Sequence, residues 1–251
     1  AWPPTWAGRS VSGSICVVKG EDKMNVLKDL TADSLAQYFD HTQLHAEATE
    51  KDFIKLCEES KKYHFRMVAI NSAPVALCKG LLKNTDIHVG AAISFPLGQT
   101  SIPVKVFETE NAIEAGADEI DYVIHIGKLK DGDYNYIERE MAEIVSACRR
   151  ADVISKVIFE NCYLTQKEKE ELCHIALNVR PDFVKTSTGF GTGGATAADV
   201  RLMKGIVKDH IRVKAAGGIR TLKNTLDMIE AGADRIGSTA STAIVEEFMR
   251  M

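Results

Sequence analysis

From Leu30 onward, short apolar, β-prone runs alternate with stretches whose apolar residues recur at helical spacing. The β-prone runs fall at Gln37–Thr42, Arg66–Asn71, His88–Ser94, Glu119–Gly127, Ile154–Asn161, Asp182–Thr188, Ile211–Gly217 and Arg235–Ser238. Helical patterns lie between them, such as Thr49–Tyr63 with Phe53, Ile54, Leu56 and Cys57, and Val104–Ala115 with Phe107, Ala112 and Ile113. Strands alternating with helices at intervals of roughly 20–35 residues indicate a parallel sheet. Eight such units in one chain favour closure, so the pattern predicts a single (β/α)8 barrel of the TIM class over residues 25–251. No long linker or Pro/Ser-rich segment divides it. Residues 1–24 break the rhythm: Trp2-Pro3-Pro4 and Trp6 sit among Gly and Ser without a sustained period. With no charged-then-apolar signal pattern either, that stretch is expected to be a leader or added extension outside the fold, ending at a plausible initiator, Met24.

An internal repeat supports the barrel. Ile113-Glu-Ala-Gly-Ala-Asp-Glu-Ile120 is echoed by Ile229-Glu-Ala-Gly-Ala-Asp-Arg-Ile236, four βα units later. Each copy places Gly where a helix must end, because Gly tolerates the left-handed conformation, and then begins a strand. These loops belong to the N-terminal, stability face of a barrel, so Asp118 and Asp234 read as structural.

Composition narrows the classes. The chain has 251 residues, 45% hydrophobic and 26% charged, with a formal net charge of -4. Without a basic run, nucleic acid is not an expected partner. No stretch approaches the ~20 apolar residues of a membrane helix. Six cysteines without C-x-x-C spacing read as buried free thiols of a reducing cytoplasm. Seven histidines without an H-E-x-x-H run give no zinc signature.

Barrel chemistry clusters at the C-terminal ends of strands. The sixth run holds Phe183-Val184-Lys185-Thr186 and the seventh Val213-Lys214-Ala215-Ala216, one lysine each at a similar depth. Neighbouring strands lie about 5 Å apart. Two unit charges at that distance, with an effective dielectric near 20, repel by roughly 3 kcal/mol. That would lower one amine from its usual ~10.4 toward the range where a neutral, nucleophilic form exists at about pH 7–8. The alternative is a pair neutralised by carboxylates as interior structure. In Glu119-Ile120-Asp121-Tyr122-Val123, alternation turns Glu119, Asp121 and Val123 to the lumen. Asp121 suits proton transfer beside an imine, or else it balances Lys214 or Lys156. Lys156 and Glu160 share a face and read as a supporting charge network. Glycine-rich turns at Gly217-Gly218 and Gly237-Ser238 each lead into a helix, a place where barrels bind phosphate.

Val-Lys-Thr-Ser-Thr-Gly at 184–189 and Val-Lys-Ala-Ala-Gly-Gly-Ile-Arg at 213–220 resemble the two lysine motifs of the deoxyribose-phosphate aldolase family. The resemblance extends through Phe39-Asp-His-Thr-Gln-Leu44, Ala92-Ile-Ser-Phe-Pro-Leu-Gly98, Asp118–Gly127 and Lys156–Thr165, and covers about Leu35 to Val245. It implies a class I, Schiff-base aldolase with no metal and no organic cofactor. Such an enzyme reversibly cleaves 2-deoxy-D-ribose 5-phosphate to D-glyceraldehyde 3-phosphate and acetaldehyde, a step of deoxyribonucleotide catabolism. By motif, Lys185 would be the Schiff-base lysine, Lys214 its pKa-lowering neighbour and Asp121 the proton donor and acceptor. Gly189, Gly217, Gly218, Gly237 and Ser238 would surround the phosphate, and Asp40 and Thr42 would contact substrate hydroxyls. The resemblance alone decides which lysine is the nucleophile. Two departures stand out. Val68-Ala69-Ile70-Asn71 replaces a Cys-containing run common in the family, and no tyrosine stands near Met251 where longer relatives bring one to the site. A homo-oligomer, in the simplest case a dimer, is expected. Two other readings share the glycine loops: a different phosphate-binding lyase or isomerase barrel, and a non-catalytic phosphometabolite-binding barrel with charge-balanced lysines.

Overall fold

Every expected strand forms, and all eight join side by side in chain order. The computed structural model describes residues 29–251, so the segment 1–24 lies outside the described residues. The strands are β1 (Phe39–Thr42), β2 (Met67–Asn71), β3 (His88–Ile93), β4 (Glu119–Val123), β5 (Ile154–Ile158), β6 (Phe183–Lys185), β7 (Arg212–Ala216) and β8 (Arg235–Ser238). All neighbouring pairs are parallel, and β8 closes on β1 through Asp40↔Gly237. Around them run α1 (Ala32–Ala36), α2 (Glu50–Tyr63), α3 (Val75–Leu81), α4 (Ile102–Glu114), α5 (Ile126–Lys130), α6 (Tyr134–Arg150), α7 (Gln166–Val179), α8 (Ala197–Val207), α9 (Leu222–Glu230) and α10 (Ser241–Met249). Local chemistry fixes their starts. Thr49 with Asp52 and Thr165 with Glu168 form capping boxes that satisfy the first free N–H groups of α2 and α7. Apolar strand residues such as Ile120, Tyr122, Val157 and Val213 face the helices and are fully buried.

The two repeat copies perform the same task twice. Gly116 and Gly232 adopt φ of 106° and 111°, a region that disfavours any side chain. A Cβ there would also press to 2.9 Å from Lys79 Cγ and 2.8 Å from Lys204 Cγ. Those lysines pair with Asp118 at 2.6 Å and Asp234 at 3.1 Å. Each aspartate also accepts the backbone N–H of the preceding strand, from Val89 and Val213 respectively, at 2.9 Å. The pair thus ties β3 to β4 and β7 to β8 at their N-terminal ends.

Strand ends differ from expectation. The run Glu119–Gly127 stops as a strand at Val123, and Ile126 and Gly127 open α5. Lys105 from α4 donates to Val123 O at 2.6 Å, and Glu140 from α6 accepts His125 N–H at 3.0 Å. Lys105 and Glu140 are joined at 2.7 Å and completely buried. A buried ion pair brought in by two helices therefore turns the chain away from the sheet. β5 likewise ends at Ile158 rather than Asn161, because Glu160 takes a left-handed conformation. On α4 the buried face runs through Ile102, Lys105, Thr109 and Ala112, which leaves Phe107 71% exposed. Lys105 is inside because Glu140 awaits it. Among the described residues no helix is long and apolar enough to cross a membrane.

Candidate active site

Lys185 and Lys214 are direct register partners on β6 and β7. Their amines converge on a single atom, Asp121 Oδ2, at 2.8 Å and 2.7 Å. The other Asp121 oxygen accepts from Lys156 at 2.6 Å. Asp121 sits on β4 with Ile120 and Tyr122 turned outward, as alternation requires, so one carboxylate holds three lysines in the lumen.

Below this layer lies a second one. Lys156 also meets Glu119 at 2.5 Å, and Lys214 meets Asp40 at 2.5 Å. Arg235 joins Asp40 and Glu119, and His88 adds a contact to Glu119 at 2.7 Å from the barrel's half-exposed N-terminal rim. All these groups except His88 are buried. The four cations Lys156, Lys185, Lys214 and Arg235 are matched by three carboxylates, Asp40, Glu119 and Asp121. An unmatched buried charge is costly, and releasing one proton removes it.

Geometry selects which amine gives it up. Lys156 and Lys214 each touch two carboxylates, whereas Lys185, among the described residues, touches Asp121 alone. Its amine is pushed down to about 8. Burial is the largest cause; Asp121 opposes it, and Lys214 and Lys156 add to the lowering. The repulsion expected from the adjacent lysines is real but secondary to desolvation. Burial acts against Lys156 too, yet Asp121 and Glu119 outweigh it and raise that amine above its ordinary value. Asp121 is held well below the usual carboxylate range: burial opposes ionisation, but Lys156, Lys185 and Lys214 together prevail.

The remaining expected site residues fall into three groups. Gly189, Gly217 and Gly218 have φ of 91°, 86° and 76°, and a Cβ on Gly217 would lie 3.2 Å from Gly189 Cα. Gly237 and Ser238 end β8 beside them, and a Cβ on Gly237 would approach Lys214 Cε to 3.3 Å. Glycine at 237 thus leaves Lys214 its space. The Ser238 hydroxyl donates to Ile219 O at 2.7 Å and accepts from Ala240 N, so its polar capacity is largely used in joining the two loops. Asp40 is fully buried beneath Lys214 and serves as a counter-ion to Lys214 and Arg235. Thr42, half-buried at the end of β1, donates to Asp40 O at 2.9 Å. Lys156 joins the charge network as expected. Glu160 does not; it turns to the loop after β6 and accepts from Thr188.

Arg235 was not anticipated from sequence. Its signal was available: alternation on β8 puts Arg235 on the same face as Gly237. A cleft of about 270 Å3 opens over the loops after β3, β5 and β6, lined by Pro96, Leu97, Ile126, Glu160, Thr188 and Phe190 among others. Of its lining residues Thr188 is the nearest to Lys185 along the chain, three residues on, and no lysine of the network lines it. Among the described residues no cluster of three or more His, Cys, Asp or Glu is placed to hold a metal.

A match to the DeoC/LacD family of aldolases spans residues 34–244. The chain is 58% identical over 216 residues to the deoxyribose-phosphate aldolase of Lactobacillus acidophilus, covering 86% of this chain and 91% of that protein. It superposes with a TM-score of 0.85 on a putative deoxyribose-phosphate aldolase from Coccidioides immitis, at 32% identity and over 94% and 99% of the two chains. The tetrameric deoxyribose phosphate aldolase of Aeropyrum pernix gives 0.84 at 30% identity, over 92% and 98%.

Proposed function

The chain belongs to the DeoC/LacD family of aldolases, and on that footing we propose that it is a deoxyribose-phosphate aldolase working through a Schiff base on Lys185. The observation that carries the reading is the lumen itself: three buried lysines on one carboxylate, with Lys185 the least paired and lowered to about 8. A neutral amine of that kind condenses with an aldehyde. An isomerase or a simple binding barrel has no need of it.

The neutral Lys185 amine attacks C1 of open-chain 2-deoxyribose 5-phosphate, and the carbinolamine loses water to give an iminium. The C3 hydroxyl gives up its proton through the Asp121–Lys214 pair. The C2–C3 bond then breaks, its electrons pass into the iminium, and an enamine forms as glyceraldehyde 3-phosphate leaves. Protonation at C2 and hydrolysis release acetaldehyde and return the amine. Asp121 is held too strongly ionised to keep a proton, so its part is to receive and pass one between amines that share its Oδ2. The loops at Gly189, Gly217–Gly218 and Gly237–Ser238 place backbone N–H groups and the start of α9 around the substrate phosphate. Thr42 faces the sugar hydroxyls, and Asp40 supports them from below by fixing Lys214. Buried thiols at Cys57, Cys78, Cys148 and Cys173 suit a reducing, cytoplasmic setting. A dimer is the simplest assembly consistent with the reading.

Borohydride reduction in the presence of acetaldehyde tests this. One ethyl group should be fixed irreversibly on Lys185, and Lys185→Ala should abolish both the adduct and turnover. Retained cleavage by that variant, or an unmodified wild-type protein, overturns the assignment.

A further inference from the structure

Glu160 is a buried carboxylate that the charge network does not use. It is 2% exposed, and no cation pairs with it among the described residues. Its backbone is left-handed, φ 59° and ψ 61°, which is unusual for a residue bearing a full side chain. The cause lies in the pairing of β5 with β6. Phe159 donates to Lys185 O at 3.0 Å and Asn161 to Thr186 O at 2.9 Å, so two residues on one side match one on the other. Glu160 is the bulged residue, directly opposite the exit of the Lys185 strand.

The bulge aims the carboxylate at the next loop. Oε1 accepts Thr188 N–H at 3.2 Å, and Oε2 accepts the Thr188 hydroxyl. That hydroxyl oxygen in turn accepts Phe190 N–H at 3.0 Å. Gly191 packs so tightly behind this chain that a Cβ there would lie 3.2 Å from Glu160 Cδ and 2.7 Å from Cys162 Sγ. Phe190 meets Phe95 edge-on at 5.4 Å and forms one wall of the cleft mouth. Burial raises the Glu160 carboxyl above its usual value, while the bonds from Thr188 and the charge of Lys185 favour its ionised form.

We propose that Glu160 is a positioning residue for substrate: through Thr188 it sets the Gly189–Phe190 segment that frames the phosphorylated end of the sugar. The inference rests on the aldolase reading above. A role confined to the fold would weaken every substrate alike. A positioning role discriminates, because acetaldehyde needs Lys185 but not the Gly189 segment.

Glu160→Gln and Thr188→Val are compared with wild type by two readouts. In both variants KM for 2-deoxyribose 5-phosphate should rise about tenfold or more, the equivalent of one charge-assisted hydrogen bond. The preference over unphosphorylated 2-deoxyribose should fall by the same factor. Borohydride trapping of acetaldehyde should change less than about twofold. Thr188→Ser, which keeps the hydroxyl, should restore the preference. An unchanged preference in Thr188→Val, or equal losses for both sugars together with slower trapping, would refute the proposal. Failure of the wild-type protein to trap acetaldehyde would instead refute the reading on which it rests.

Discussion

At the N-terminal end of the barrel Lys79 faces Asp118 and Lys204 faces Asp234, one principal lysine to each carboxylate, with side chains 18–45% exposed. In the lumen three lysines face Asp121, and none of these four side chains is more than 4% exposed. The residue types are the same. At the rim, water screens each pair and the arrangement only holds strands in register. Inside, screening is lost and cations outnumber carboxylates, so one amine is driven toward its neutral form. The lowered amine here comes from burial and stoichiometry rather than from lysine as such.

The contrast can be broken most forcefully at its centre. Asp121→Asn leaves Lys156, Lys185 and Lys214 crowded around an uncharged amide. Unfolding by denaturant should show a loss of about 3–5 kcal/mol, and turnover should fall by roughly 10²- to 10⁴-fold. A variant as stable as wild type would mean that the lysines do not depend on this carboxylate.

Removing the surplus cation should act in the opposite direction. The Lys185 amine is lower in the folded protein, about 8, than its ordinary 10.5. Below about pH 8 the folded state must hold a proton that it binds poorly, and this penalty fades as pH rises from about 8 to 10.5. Lys185→Met should therefore be inactive yet more stable than wild type by about 1–3 kcal/mol at pH 7. That advantage should shrink toward pH 10. Thermal unfolding across this range checks both magnitude and sign, and a variant less stable at pH 7 would contradict the surplus.

The smallest effect belongs to the rim. Lys204→Ala should cost about 0.2–1 kcal/mol and leave kcat unaltered. A large loss of activity would erase the distinction between the two regions.

Much of this division was legible in the chain. Period-two alternation placed Asp121 in the lumen, the two lysines fell at matching depths on adjacent strands, and the repeated Gly-Ala-Asp segments marked the structural end. Strand termini were not legible, because distant groups set them: Ile124-His125-Ile126 reads as continued alternation until Lys105 and Glu140 arrive from α4 and α6. The ion pairs of Asp40 were not legible for a related reason. Its motif position suggested substrate, but Arg235, nearly two hundred residues away, claims one oxygen and Lys214 the other. Alternation and depth alone left Lys185 and Lys214 equivalent, since what separates them is how many carboxylates each amine touches. The left-handed turn at Glu160 falls on a residue type that seldom adopts it, so the residue itself gave no sign of it.

The central claim is that desolvation with a single carboxylate partner leaves Lys185 able to shed its proton near neutrality. Isotope-edited NMR titration of the lysine side chains measures this directly. A midpoint near 8 at Lys185 is the predicted result. A Lys185 ammonium that stays protonated to about pH 10, like an ordinary exposed lysine, would contradict it.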